Sequence, residues 1–308
     1  MGIDHTELVV PVITSLSTAI IDALFMRKNT ENAEFEKLKA GKFNEVMNQL
    51  IDEGKMSYLD YYHCHNYLQV AKIADAELKK KNTSDYAGKE NASYNHLDFD
   101  WYVRFFTDVG NISDHDMQIL WGRMLAGQIE SGNKYSLRTM ETLTNMTSSE
   151  ARLYKDISGL VLHSTSPDRY FFFIEDEFYT TGVNEEYGLT DDVMNKLVDC
   201  NLVNLQVVQA FEDILSGQSV FVNGDMAVLL ERKTRKKKFS LYQSYPLTEA
   251  GVQILNLIDR EPNYEYTKSV ANYLLNKGNQ LMVSVKHIHS CSEDEENYTL
   301  ELGDDIDF

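Results

Sequence analysis

His287, His289 and Cys291 stand at alternate positions near the C-terminus. In a strand they would share one face, and two imidazoles with a thiolate make a chemically sound zinc site. Three ligands and an open position would suffice to activate a water. No second pair of cysteines follows at finger spacing, so ordinary polar positions are the alternative. His63 and His65 flank Cys64 in a helical run. There the two imidazoles point to different faces, because helical ligands pair three or four residues apart. Asp114, His115 and Asp116 gather two carboxylates and an imidazole. At a helix start, acidic side chains belong for dipole and capping reasons alone.

Other candidates are electrostatic. Glu231–Lys238 carries six basic residues in eight: Arg232, Lys233, Arg235, Lys236, Lys237 and Lys238. At the tip of a hairpin they would reach a phosphate backbone or a protein partner. The preceding helix carries Asp191, Asp192 and Asp199 against Lys196, which would repel DNA. Nucleic acid is therefore not the favoured partner, and the run reads as a solvated or protein-contacting hairpin. Arg138, in Ser136-Leu137-Arg138-Thr139, reads as a buried arginine paired with Asp108 or Glu141. An anion site at that helix start is the other reading.

The common catalytic and nucleotide-binding strings are missing: no Walker loop, no GxGxxG after a strand, no GxSxG and no HExxH. No cofactor is expected. With 29 basic against 48 acidic residues, the net charge of −19 opposes nonspecific attraction to nucleic acid or anionic lipid. Three widely spaced cysteines make no disulfide framework and suit a reducing cytoplasm. Val9–Met26 has the length of a membrane span but holds Pro11 and Asp22, and its apolar residues repeat at helical spacing. It reads as a packed amphipathic helix, and membrane association is not expected.

The elements that would position these groups are mostly helices. Residues 1–81 form an N-terminal helical region, with Leu59, Tyr62, Val70, Ile73 and Leu78 marking one apolar face. Residues 82–96 are polar and aperiodic and read as a linker. In 97–147, Ser113 with Asp116 resembles a capping box. The helix it opens places Met117, Leu120, Trp121, Met124 and Leu125 on one face and stops at Gly132. Ser136 caps the next helix, and Thr147 with Glu150 caps another. Residues 148–260 give helix, strand, helix, helix, hairpin, helix, the order of a winged helix-turn-helix, with Asn223-Gly224-Asp225 as the turn signal. Residues 261–308 add a helix, a hairpin and an acidic tail.

The string from Phe99 to Glu150 carries Asp108-Val109-Gly110-Asn111-Ile112-Ser113, then Leu120-Trp121-Gly122, Leu125-Ala126-Gly127 and Ser136-Leu137-Arg138-Thr139. In that order it resembles the bacterial family catalogued as domain of unknown function 2806, most strongly over 97–160. Trp101, Ser113, Trp121, Leu125 and Arg138 are its structural signature. The resemblance implies no reaction. Bacterial proteins with related Leu-Ala-Gly helices and winged-helix ends include some linked to phage abortive infection, so it suggests a defence role.

The fold expected is mainly α (α+β): a helical N-terminal region, a helical signature region and a winged-helix-like C-terminal half with small β-hairpins. The function expected is a nonenzymatic cytoplasmic protein that acts through a protein partner or as a homo-oligomer. A winged-helix DNA-binding regulator and a metal-dependent nuclease are the alternatives.

Overall fold

The computed structural model of the chain describes residues 43–54, 56–85, 98–131, 134–165, 168–174, 183–205, 207–210, 218–232, 240–276, 281–294 and 297–308. The chain divides into two units between Thr144 and Asn145.

The described residues of the first unit are helical. Its helices are α1 (Phe43–Asp52), α2 (Tyr58–Asp85), α3 (Phe99–Val109), α4 (His115–Ser131) and α5 (Leu137–Asn145), the last ending at the division. Helix α2 extends to Asp85, so the first four residues read as linker are its last turn; residues 86–97 lie outside the described set. Short polar side chains set the starts. Asp98 accepts from the Trp101 amide and Ser136 from the Thr139 amide. Helix α4 is capped by Asp114, whose carboxylate accepts from the Met117 amide at 3.0 Å, and not by Ser113 as the sequence suggests. The two residues are adjacent and both able to cap, so spacing alone does not choose between them.

Helix α4 packs along α2. Gly122 permits the approach: a Cβ there would lie 2.5 Å from the Ile73 Cγ2 atom. Trp101, Phe105 and Trp121 form the aromatic centre, with Trp101 stacked on Phe105 at 5.0 Å and Phe105 edge-on to Trp121 at 5.3 Å. Trp121 and Leu125 are buried, as their place on the apolar face of α4 predicts.

The second unit is not a winged helix. Helix α6 (Ser148–Ile157) and a 3-10 turn (Ser158–Leu160) lead into β1 (Leu162–Thr165) and β2 (Asp168–Ile174). Then come α7 (Val183–Glu186), α8 (Asp191–Asp199), β3 (Val207–Ala210), β4 (Gln218–Asn223), β5 (Met226–Arg232) and β6 (Ser240–Pro246). Helices α9 (Glu249–Leu255) and α10 (Tyr264–Asn276) precede β7 (Leu281–Asp294) and β8 (Asn297–Asp305). The eight strands among the described residues join one antiparallel sheet in the order β3-β6-β2-β1-β4-β5-β7-β8.

The expected hairpins are there, but the sheet absorbs them. Asn223 pairs with Met226 across Gly224-Asp225, and Gly224 has φ +63°, which the turn requires. The turn leads from β4 into β5, and β5 then pairs along its length with β7, from Met226↔His287 to Arg232↔Leu281. Strand β6 pairs with β2 and β3 instead. Strands β5 and β6 thus lie four places apart, so the basic run between them is a connection between distant strands and not the tip of a hairpin. Local reading gave several of the elements but not β1 or β3, and pairings between strands remote in sequence overturned the fold drawn from it.

Helix α10 packs on β5 and β7. Met226–Leu230 of β5 is buried at every position, the pattern of a strand covered on both faces. Asn223 fastens the 3-10 turn to α10, its Nδ2 donating to the Gly159 carbonyl at 2.9 Å and to Thr267 Oγ1 at 3.0 Å. The predicted caps stand: Thr147 with Glu150 forms a complete capping box, Thr190 caps α8 and Thr248 caps α9. The acidic end is not a free tail, since β8 pairs with β7 from Asn297↔Asp294 onward. No helix among the described residues is long and apolar enough to cross a membrane, and Val9–Met26 lies outside them.

Candidate functional site

The signature residues of the first unit converge on packing. Asn66 of α2 donates to the Gly110 carbonyl at 2.7 Å, and Gln118 of α4 donates to the Ile112 carbonyl at 2.9 Å. These bonds fasten the turn between α3 and α4 to both neighbouring helices. Gly110 faces Tyr67 and His63 so closely that a Cβ would meet each at 3.1–3.3 Å. Gly127 lies under the Tyr135 ring, whose backbone amide donates to Gln128 and whose carbonyl accepts from the Trp101 indole at 3.0 Å. Burial, and then Glu130, pushes the Tyr135 phenol up to about 12. Asp108 accepts from the Thr144 hydroxyl at 3.0 Å and lies 4.0 Å from Arg104.

Arg138 departs from expectation. It is exposed, and among the described residues no ion pair holds it. Asp108 is committed to Thr144 and Arg104 instead. Ser113 is exposed as well. Asp116 and His115 are exposed in the first turn of α4, where helix-end electrostatics accounts for the acid.

Leu59 and Tyr62, read as core positions of α2, face solvent. With Tyr58 they are 61, 38 and 78% exposed, while Cys64, Tyr67, Leu68 and Ala71 bury the next turns of the same helix. Cys64 is a core side chain, its thiol pushed up to about 12 by burial and then by Asp60.

The metal candidates sit on β7. His287 and His289 are exposed, and the ladder with β8 shifts register on either side of Ile288. The His289 ring lies over Gly303 of β8, where a Cβ would come within 2.3 Å of Nε2. The Cys291 side chain lies outside the described set, and among the described residues no group of three His, Cys, Asp or Glu could hold a metal ion. Of the basic run, Arg232 ends β5, and Lys233, Arg235, Lys236, Lys237 and Lys238 lie outside the described residues.

A cluster that no motif announces lies in the second unit. His163 of β1 and Tyr170 of β2 are cross-strand partners, and their rings stack at 4.3 Å with an angle of 12°. His163 Nε2 is 2.6 Å from Asp168 Oδ1. Arg260, between α9 and α10, is half-buried, and its Nη1 is fully buried with no hydrogen-bond partner. Burial pulls the guanidinium below its usual value, while the phenols of Tyr170 and Tyr154 act in the opposite sense. It stays charged at any ordinary pH. The Tyr154 hydroxyl donates to the Gly251 carbonyl at 3.0 Å. In the sequence Arg260 is one arginine between Asp259 and Glu261, and nothing local marks it as buried.

Neither a curated protein nor a solved structure matches the chain. A family model described as protein of unknown function (DUF2806) matches residues 77–271, from within α2 to within α10 and more than half of the chain, so the chain belongs to that family.

Proposed function

We propose that the chain acts by protein–protein contact or self-association, without catalysis, through the apolar stretch that opens α2. The observation behind this reading is the exposure of Tyr58, Leu59 and Tyr62. Three large apolar side chains at positions i, i+1 and i+4 form one patch on a helix. Patches of this kind on soluble proteins mark interaction sites, and tyrosine is enriched among the residues that dominate interface energetics. The signature glycines and tryptophans support the reading indirectly, because their contacts are internal to the first unit. The setting we assign is the bacterial cytoplasm, in defence against phage. It rests on the composition and on the likeness of the Leu-Ala-Gly helix to abortive-infection proteins.

The test is sedimentation velocity of the full chain from micromolar to submillimolar concentration, alone and with the products of the adjacent genes. Tyr58→Ser with Leu59→Ser should abolish the association while leaving the melting temperature within a few degrees, since both side chains are exposed. A chain that stays monomeric and binds none of those products, or a double variant that associates as tightly as the parent, refutes the reading. Phage plating with the parent gene and with the double variant tests the defence role.

A further inference from the structure

We infer that Arg260 is the cationic centre of a binding site for a small oxyanion, a phosphate or carboxylate group, in the second unit. The chain carries 48 acidic residues against 29 basic ones, so a buried cation has no shortage of acids with which to pair. Arg123 of the first unit, also half-buried, has one, with Nε 3.6 Å from Glu77. Arg260 does not. Its Nη1 is fully buried without a hydrogen-bond partner, and no ion pair holds the group among the described residues. The titratable groups that act on it are two phenols, Tyr170 and Tyr154, and not a carboxylate.

The acid two residues before Tyr170 in the chain is already engaged. Asp168 lies 2.6 Å from His163, which is stacked on Tyr170. Asp259 and Glu261, which flank Arg260 in the chain, are both exposed. A half-buried guanidinium with one buried N–H group unsatisfied is costly to hold, and the described residues supply no counter-charge. A planar guanidinium offers a fork of N–H donors that matches the paired oxygens of carboxylate or phosphate. The neighbouring elements are rigid. Tyr154 is locked to α9 through Gly251, and Tyr170 is held in the β1–β2 ladder, so the two phenols that act on the guanidinium are fixed in place.

The test is thermal unfolding of the full chain in inorganic phosphate, in acetate and in sodium chloride at matched ionic strength. Line widths of the phosphate 31P resonance give a readout independent of stability. At ten times its Kd, the bound oxyanion should raise the transition by about 3 °C beyond chloride. Arg260→Met should abolish that increment and the line broadening. Arg260→Lys, which keeps the charge and loses the fork, should weaken binding about tenfold. A response to phosphate alone identifies a phosphate group, and a response to acetate identifies a carboxylate, including one presented by another protein. The general stabilising effect of phosphate on proteins is common to parent and variant, so their difference reports the site. The inference is overturned if neither oxyanion exceeds chloride with the parent chain, or if Arg260→Met responds equally. Should Arg260→Met fail to fold, the line width with Arg260→Lys decides, and an affinity equal to the parent's sinks the proposal. The outcome is independent of the α2 patch, which lies in the other unit.

Discussion

Replacing Trp121 separates two contributions that a buried tryptophan normally combines. The side chain is fully buried against Phe105, yet its indole Nε1 has no hydrogen-bond partner. Trp121→Ala removes all of the packing and should cost about 3–5 kcal/mol. Trp121→Phe removes about 1–2 kcal/mol of apolar burial but also removes a buried donor whose desolvation costs about 1–3 kcal/mol. The net effect should be small, about 0–1 kcal/mol. Trp101 is the control. It is equally a core residue, but its Nε1 donates to the Tyr135 carbonyl at 3.0 Å. Trp101→Phe loses the same apolar area and strands that carbonyl, so it should cost about 1–3 kcal/mol more than Trp121→Phe. The chain has two tryptophans, both in the first unit, so each variant leaves one as a local fluorescent probe. Urea unfolding followed by that fluorescence gives the three values for one unit and avoids averaging over two. If Trp121→Phe costs as much as Trp101→Phe, the indole of Trp121 has a partner and the reasoning fails.

Gly122→Ala should destabilise by about 1–3 kcal/mol, because the new Cβ would sit 2.5 Å from Ile73 Cγ2 and 2.6 Å from Ile73 Cβ. Adding Ile73→Ala should recover part of the loss in a double-mutant cycle, and strict additivity would argue against the contact. Burial pushes Tyr67 and Tyr135 up to about 12, so the unfolded chain loses these protons first. Stability should be full below about pH 10 and fall as pH rises towards 12; Tyr67→Phe and Tyr135→Phe should each flatten the decline in denaturant titrations. Deleting residues 281–308 should leave the buried strand β5 as an open edge and drive aggregation in light scattering. Deleting 297–308 removes only β8 and should give a milder phenotype.

What the sequence made legible was local. The caps at Ser136, Thr147, Thr190 and Thr248 depend on residues three positions apart, and each has the bond its spacing predicts. The Gly224 turn and the apolar face of α4 are equally short-range. Strand order was not legible. Nothing in the β5 segment says that it pairs with β7, some fifty residues on, or that the basic run leads away to a strand four places distant. Leu59 and Tyr62 misled for a related reason. Helical periodicity says which residues share a face, and cannot say whether anything covers that face. Arg260 was invisible because the burial of one nitrogen of a charged side chain is a tertiary property.

The signature also bears on where function should be sought. A catalytic motif brings polar groups together around an open space. This one brings glycines and aromatic rings into close contact. Gly122 admits Ile73, Gly127 admits Tyr135, and Gly110 admits Tyr67. The polar members near them, Asn66 and Gln118, are occupied with the backbone of the turn between α3 and α4. Atoms engaged in this way are poorly placed to meet a ligand, so these residues are explained by the fold. Arg138 is different, since it is exposed without an ion pair among the described residues, and removing it should cost the fold little. It belongs with the α2 patch and Arg260 among the residues that packing does not account for. Residues of that kind, and not the glycines and tryptophans that make the family recognisable, are where a partner or ligand would act.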